Sequence, residues 1–205
     1  IGYIAFWGCE SLASIVLKGV EPPTAYEESF YTYEAVLTVP AGAKSAYQSA
    51  DVWKNFKTIE ELIADGSRFE RDGVFYKVLS ADAKTVEVTF KGETYSEFTD
   101  EYTGSVVIPQ TVVYEDEIYS VVEIGEYAFH NCPSLKSVSL PKNLSHIRKR
   151  AFYGCSSLSS VSLSSNLNTI GERAFYSCSS LASINLPNSV TFIDERAFYE
   201  CSSLA

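Results

Sequence analysis

Residues 124–141 read IGEYAFHNCPSLKSVSLP, and the chain then repeats that sentence: IRKRAFYGCSSLSSVSLS at 147–164, IGERAFYSCSSLASINLP at 170–187 and IDERAFYECSSLA at 193–205. The register never slips. Ile124, Ile147, Ile170 and Ile193 stand 23 residues apart, and so do Phe129, Phe152, Phe175 and Phe198. Cys132, Cys155, Cys178 and Cys201 keep the same step, as do Leu135, Leu158, Leu181 and Leu204. A fixed period of this length marks a solenoid, in which each repeat is one coil that buries its apolar side only against its neighbours.

Within a repeat, Leu135, Val138 and Leu140 (then Leu158, Val161, Leu163 and Leu181, Ile184, Leu186) end in a period-2 pair. Alternate residues of a strand face opposite sides, so this pair points inward while the residues between it point out. Pro141 and Pro187 end the strand because proline has no N–H for a ladder. The Ile-x-x-x-Ala-Phe half makes the return path, with each Phe filling a coil and each Ala allowing close backbone approach. Stacked coils place equivalent strands about 4.8 Å apart in a parallel sheet.

IGxxAFxxCxSLxSIxLP at this step resembles the BspA-like leucine-rich repeats, also called the Treponema pallidum type. The resemblance covers the last 85 or so residues and the first 17. It implies a leucine-rich repeat solenoid, a right-handed β/α superhelix rich in strand with short helices, here interrupted by an antiparallel β-sheet cap. It also implies a secreted or cell-surface bacterial protein used in binding, often described as an adhesin.

Working outward, IGYIAFWGCESLASIVL at 1–17 lies on the repeat at 170–186 without a gap. The pattern then breaks. LTVP at 37–40 keeps the strand-then-proline ending, and Phe30 stands in for the repeat Phe of a shortened coil. Residues 43–56, AKSAYQSADVWKNF, read as a short helix carrying Tyr47, Trp53 and Phe56, the atypical unit that closes a solenoid. Residues 1–65 are therefore expected to end one array with a helical cap. Asp65-Gly66-Ser67 is turn chemistry and the best boundary. Beyond it, Asp72-Gly73 between alternating apolar residues signals a hairpin. KTVEVTF at 84–90, GSVVIP at 104–109 and a second hairpin turning at Glu115-Asp116-Glu117 complete a β-rich region, 66–123, expected to cap the array of 23-residue repeats at 124–205. The chain opens and closes inside a repeat, so it is expected to be a piece of a longer protein.

With 205 residues, 46% of them hydrophobic, a sizeable core is available. Net charge is −10, which disfavours a nucleic-acid backbone as partner. The acid is uneven: residues 124–205 carry seven Lys/Arg and five Asp/Glu (net +2), leaving nine against 21 (net −12) in the first 123. No apolar run nears the roughly 20 residues that span a bilayer, so no direct membrane insertion is expected.

Catalytic chemistry finds no foothold. The five cysteines, Cys9 included, share one repeat position; a 23-residue ladder lacks the convergence of a zinc site, and parallel side chains do not pair, so all five read as buried free thiols. No serine lies in a nucleophile elbow, the two histidines (His130, His146) differ in register, and phosphate and calcium loops are absent. No cofactor or metal is expected, and no enzyme. Glu60-Glu61 reads as a helix end and Glu115–Glu117 as a turn, both solvated. Arg148-Lys149-Arg150 is a basic cluster on the return side, either solvated or facing an acidic partner such as another copy's acidic front.

The outward strand face is the default binding surface. It carries Ser137, Ser139, Ser160, Ser162, Ser183 and Asn185. That face lacks the Trp, Tyr and Arg of protein hot spots. Either a ligand is held by hydrogen bonds over many repeats, or these coils are scaffold. The expected function is non-catalytic binding or adhesion to an extracellular protein. A glycan-binding module is the alternative, with accessible rings at Tyr26, Tyr31, Tyr33 and Trp53, and a structural spacer is the third. The last coil would leave an open edge that invites end-to-end self-association.

Overall fold

A computed structural model gives the structure of residues 1–40 and 42–205. They form two compact units, 1–67 and 68–205, both rich in strand.

In the first unit, β1 (Ser14–Val16), β2 (Val36–Val39) and β3 (Thr58–Glu61) pair parallel in that order. Ile15, Leu37 and Ile59 are register partners and all three are buried, the inward residues of successive coils. Phe30 does occupy the repeat Phe position. Its ring stacks on Phe6 at 5.4 Å and 3°, and the two residues form an isolated parallel bridge.

The expected helix over 43–56 breaks in two. Helix α1 covers only Lys44–Ser49; Ala50 is extended, Val52 has φ 72°, and a 3-10 turn follows at Trp53–Asn55. The break lets Trp53 fold back edge-on against Tyr47 and Phe30, where it is 1% exposed and donates from Nε1 to the Pro23 carbonyl at 2.7 Å. Glu60 and Glu61 belong to β3 rather than to a helix end. Glu61 accepts the Lys44 N–H at 2.8 Å, serving one of the orphan donors at the start of α1.

The second unit runs through β4 (Arg68–Arg71), β5 (Val74–Ser80), β6 (Thr85–Thr89), β7 (Gly104–Val107), β8 (Thr111–Tyr114) and β9 (Glu117–Ile124). It continues with β10 (Leu135–Ser139), β11 (His146–Ile147), β12 (Ser160–Ser162), β13 (Thr169–Ile170) and β14 (Phe192–Ile193). The Asp72-Gly73 hairpin forms as read, with φ positive at both residues (53° and 76°) and Arg71 opposite Val74. The second hairpin turns on two residues only. Glu115 and Asp116 have φ 47° and 60°, and Glu117 already opens β9.

One long sheet has the order β14-β13-β11-β9-β6-β5-β4, with β8 antiparallel on β9. Its β4-β5-β6 part is antiparallel, but β6 meets β9 in parallel, and the short repeat strands β11, β13 and β14 continue that direction. The hairpins and the repeats thus share one hydrogen-bonded sheet. The second sheet, β12-β10-β7, is all parallel and contains a strand assigned from sequence to the hairpin region. Ser105-Val106-Val107-Ile108-Pro109 matches Ser137-Val138-Ser139-Leu140-Pro141, with Val106 opposite Val138.

Between the two sheets lies the repeat core. Phe129, Phe152, Phe175 and Phe198 stack at 4.9, 5.0 and 5.2 Å, their planes within 6° of parallel, because the 23-residue step returns each ring one strand spacing further on. Tyr102 closes one end of the column at 4.5 Å from Phe129, its hydroxyl donating to the Thr89 carbonyl and accepting the Phe75 N–H. Each coil turns two corners in the left-handed region, at Tyr127, Arg150, Arg173 and Arg196 and again at Asn131, Gly154, Ser177 and Glu200. Only Gly154 and Asn131 announce such a corner by residue type.

Candidate functional site

The parallel sheet β7-β10-β12 presents its outward residues in rows. Ser105, Ser137 and Ser160 are register partners in one row, and Val107, Ser139 and Ser162 in the next. Each row runs across strands about 4.8 Å apart. Ser137 is half-buried and donates to Ser105 Oγ at 2.9 Å, while Ser139, Ser160 and Ser162 are exposed. Val107, 71% exposed, puts one apolar side chain beside them. Ser105 and Val107 were not among the candidates from sequence. Their signal was the SVVIP copy of SVSLP, displaced 32 residues from it instead of 23.

Ser183 and Asn185 are exposed but lie outside any strand, so the expected third repeat strand over 181–187 does not form. Ile184 is only half-buried and Leu186 is exposed. The ladder stops where no described residue covers the inward pair from the far side.

The rings proposed for sugar stacking separate into two groups. Trp53 is core, and Tyr33 is half-buried, edge-on to Phe56 with its hydroxyl on the Glu27 carbonyl. Tyr26 and Tyr31 are exposed, each with an edge contact, to Tyr3 and Trp7 respectively.

Four of the five cysteines are buried and free, as read; Cys9 is exposed, a correction. Cys155, Cys178 and Cys201 each donate the thiol proton to the carbonyl of the Phe one coil back (Phe129, Phe152, Phe175) at 3.0–3.1 Å. No described coil supplies Cys9 with such a partner. Burial pushes the Cys155 and Cys178 thiols far up and that of Cys132 to about 11, so they stay protonated and unreactive at neutral pH.

The basic cluster makes its contacts within the chain. Arg148 grips Glu123 with two hydrogen bonds (2.6 and 2.7 Å), Lys149 pairs with Glu172 at 2.6 Å, and Arg150 lies between the Tyr127 and Tyr153 rings. Beside it runs a column that the sequence reading passed over. His130, Tyr153, Tyr176 and Tyr199 stack at 4.8–5.2 Å, each being the residue after the repeat Phe. Stacking consumes their faces and leaves edges outward.

Among the described residues, no group of three or more His, Cys, Asp or Glu side chains is placed to hold a metal ion, and no helix is long and apolar enough to cross a membrane.

A family model described as the BspA type leucine rich repeat region matches residues 104–205 in six copies, starting at β7. A leucine-rich repeat protein from Bacteroides capillosus is 33% identical over 63% of this chain and 89% of its own, with a TM-score of 0.53. The chain belongs to the BspA type leucine-rich repeat family. A leucine rich cell surface protein from Faecalibacterium prausnitzii is 32% identical, covering 67% of this BspA-type chain at a TM-score of 0.55. The chain spans only 35% of that protein's length. No curated protein matches the chain.

Proposed function

We propose that this BspA-type chain is a non-catalytic protein-interaction module of a secreted or surface-attached bacterial protein, serving adhesion to a host or matrix protein through the outward face of β7, β10 and β12. The observation that carries the reading is the pair of rows, Ser105–Ser137–Ser160 and Val107–Ser139–Ser162. They offer a flat, regular set of hydroxyls with an apolar side chain at its margin. Family membership and a neighbour described as a cell surface protein support the setting. In the parent architecture we take residues 1–65 as the end of one array, 66–123 as the N-terminal cap of the next, and 124–205 as repeats of a right-handed superhelix.

The test is a binding screen against extracellular-matrix proteins with the native chain and a variant carrying Ser139→Arg and Ser162→Arg. Protein binding lost in the variant supports the strand face. Binding that persists moves recognition off it, and no protein binding at all leaves the spacer reading ahead.

A further inference from the structure

A cleft of about 580 Å³ opens over the β4-β5-β6-β9 part of the long sheet, on the face opposite buried Val78, Val86 and Val88. That volume falls in the range of small-molecule sites. Its floor is a cross-strand row in which Arg68 is register partner of Lys77, Lys77 of Glu87, and Glu87 of Glu123. Two ion pairs hold the row: Lys77 Nζ lies 3.2 Å from Glu87 Oε1, and Arg148 clamps Glu123. Glu87 and Glu123 are each 9% exposed. Burial raises the Glu87 carboxyl above its ordinary range, and Lys77 pulls part of that rise back.

Gly125 makes the room for the Glu87 carboxylate. A Cβ there would stand 2.7 Å from the Glu87 carboxylate and 2.8 Å from the Val88 carbonyl. Rings complete the lining, with Tyr95 stacked on Tyr127 at 4.0 Å and Phe90 beneath the Arg68 guanidinium at 4.5 Å.

We propose that this cleft binds a neutral sugar, one or two units of a glycan. Three cations (Arg68, Lys77, Arg148) face four carboxylates (Glu87, Glu93, Glu123, Glu126), so a ligand with strong charge of either sign meets repulsion as well as attraction. A polyhydroxyl ring meets neither. Its hydroxyls donate to carboxylates and accept from guanidinium and ammonium, while its C–H groups pack against the part of Tyr95 that Tyr127 leaves uncovered. The site is distinct from the strand face and from the exposed Tyr26 and Tyr31 of the first unit.

The experiment is titration calorimetry of the 205-residue chain with galactose, N-acetylglucosamine, lactose and cellobiose, beside sialyllactose and a sulfated disaccharide. Binding of at least one neutral probe is expected. Tyr95→Ala and Glu87→Gln should each weaken it about tenfold, as loss of about 1.4 kcal/mol would do, while Tyr31→Ala leaves it unchanged. Tyr95 sits in a loop, so its variant keeps the test valid where the sheet variant fails to fold. Silence from every neutral probe overturns the proposal. So do preference for the anionic sugars, binding that survives Tyr95→Ala, and equal loss in Tyr31→Ala.

Discussion

The same repeat is packed twice in this molecule, once in the coils at 124–205 and once in the coil at 1–17. In the former, Phe129, Phe152 and Phe175 lie buried in a column of parallel rings, and the thiols of Cys155 and Cys178 are tied to the coil before them. In the latter, Phe6 is half-buried and Cys9 is exposed. The column also ends differently. Phe6 stacks flat on Phe30, but Phe56 then meets Phe30 edge-on at 81° and Trp53 closes the gap. Identical letters thus have different energetic weight. A coil's residues are worth what their neighbours on both sides make them, as nearest-neighbour coupling in a repeat array requires.

The sharpest way to break this comparison is to truncate the ring. Phe152→Ala should cost about 3–5 kcal/mol, because the fully enclosed site cannot collapse around the cavity. Phe6→Ala, at the same register, should cost only about 1–2 kcal/mol, since part of its ring is already in water. Urea unfolding of the two variants measures both; equal losses would mean that coil position does not set the weight of the residue.

Alkali should separate the thiols next. Cys132 has its pKa raised by burial to about 11, so the folded state holds a proton that the unfolded state loses. The resulting stability is complete below about pH 9 and is lost as pH rises toward 11, at up to about 1.4 kcal/mol per unit for this one thiol. Denaturation midpoints from pH 8 to 11 should fall accordingly, and less steeply in Cys132→Ala. Thiol labelling at pH 8 should modify Cys9 in the folded 205-residue chain and the other four only after unfolding. Rapid labelling of Cys201 would place the loosening at the last coil as well.

A smaller contrast concerns two glycines at one register. A Cβ on Gly171 would stand 2.8 Å from backbone atoms of Arg148 and Lys149, whereas one on Gly2 meets nothing within 4 Å. Gly171→Ala should therefore destabilise by about 1–3 kcal/mol through overpacking. Gly2→Ala should stay within about 0.5 kcal/mol of the parent. Thermal unfolding distinguishes the two.

Much of this was legible. The period located the Phe column, the Cys ladder and the parallel strands, because an invariant step along the chain becomes an invariant step in space once coils stack. Asp72-Gly73 was legible for a local reason, a turn that needs two positive φ values. Other features were hidden. Ser105 and Val107 escaped because their copy of the strand motif sits at a different spacing, and the helix at 43–56 was overridden by the burial of Trp53. The left-handed corners at Arg150, Arg173 and Arg196 carry no glycine to mark them.

The sequence by itself determined the repeat, its family and most of the residues that face inward, Cys9 and Leu186 excepted, since burial periodicity is written in the order of residue types. Tertiary structure alone decided which strands share a sheet, which carboxylates neutralise Arg148 and Lys149, and that Lys77, Glu87 and Glu123 line one cleft. Glu123 lies far along the chain from Lys77 and Glu87, which face each other across neighbouring strands. Their meeting depends on strand register between segments whose own patterns contain no reference to one another.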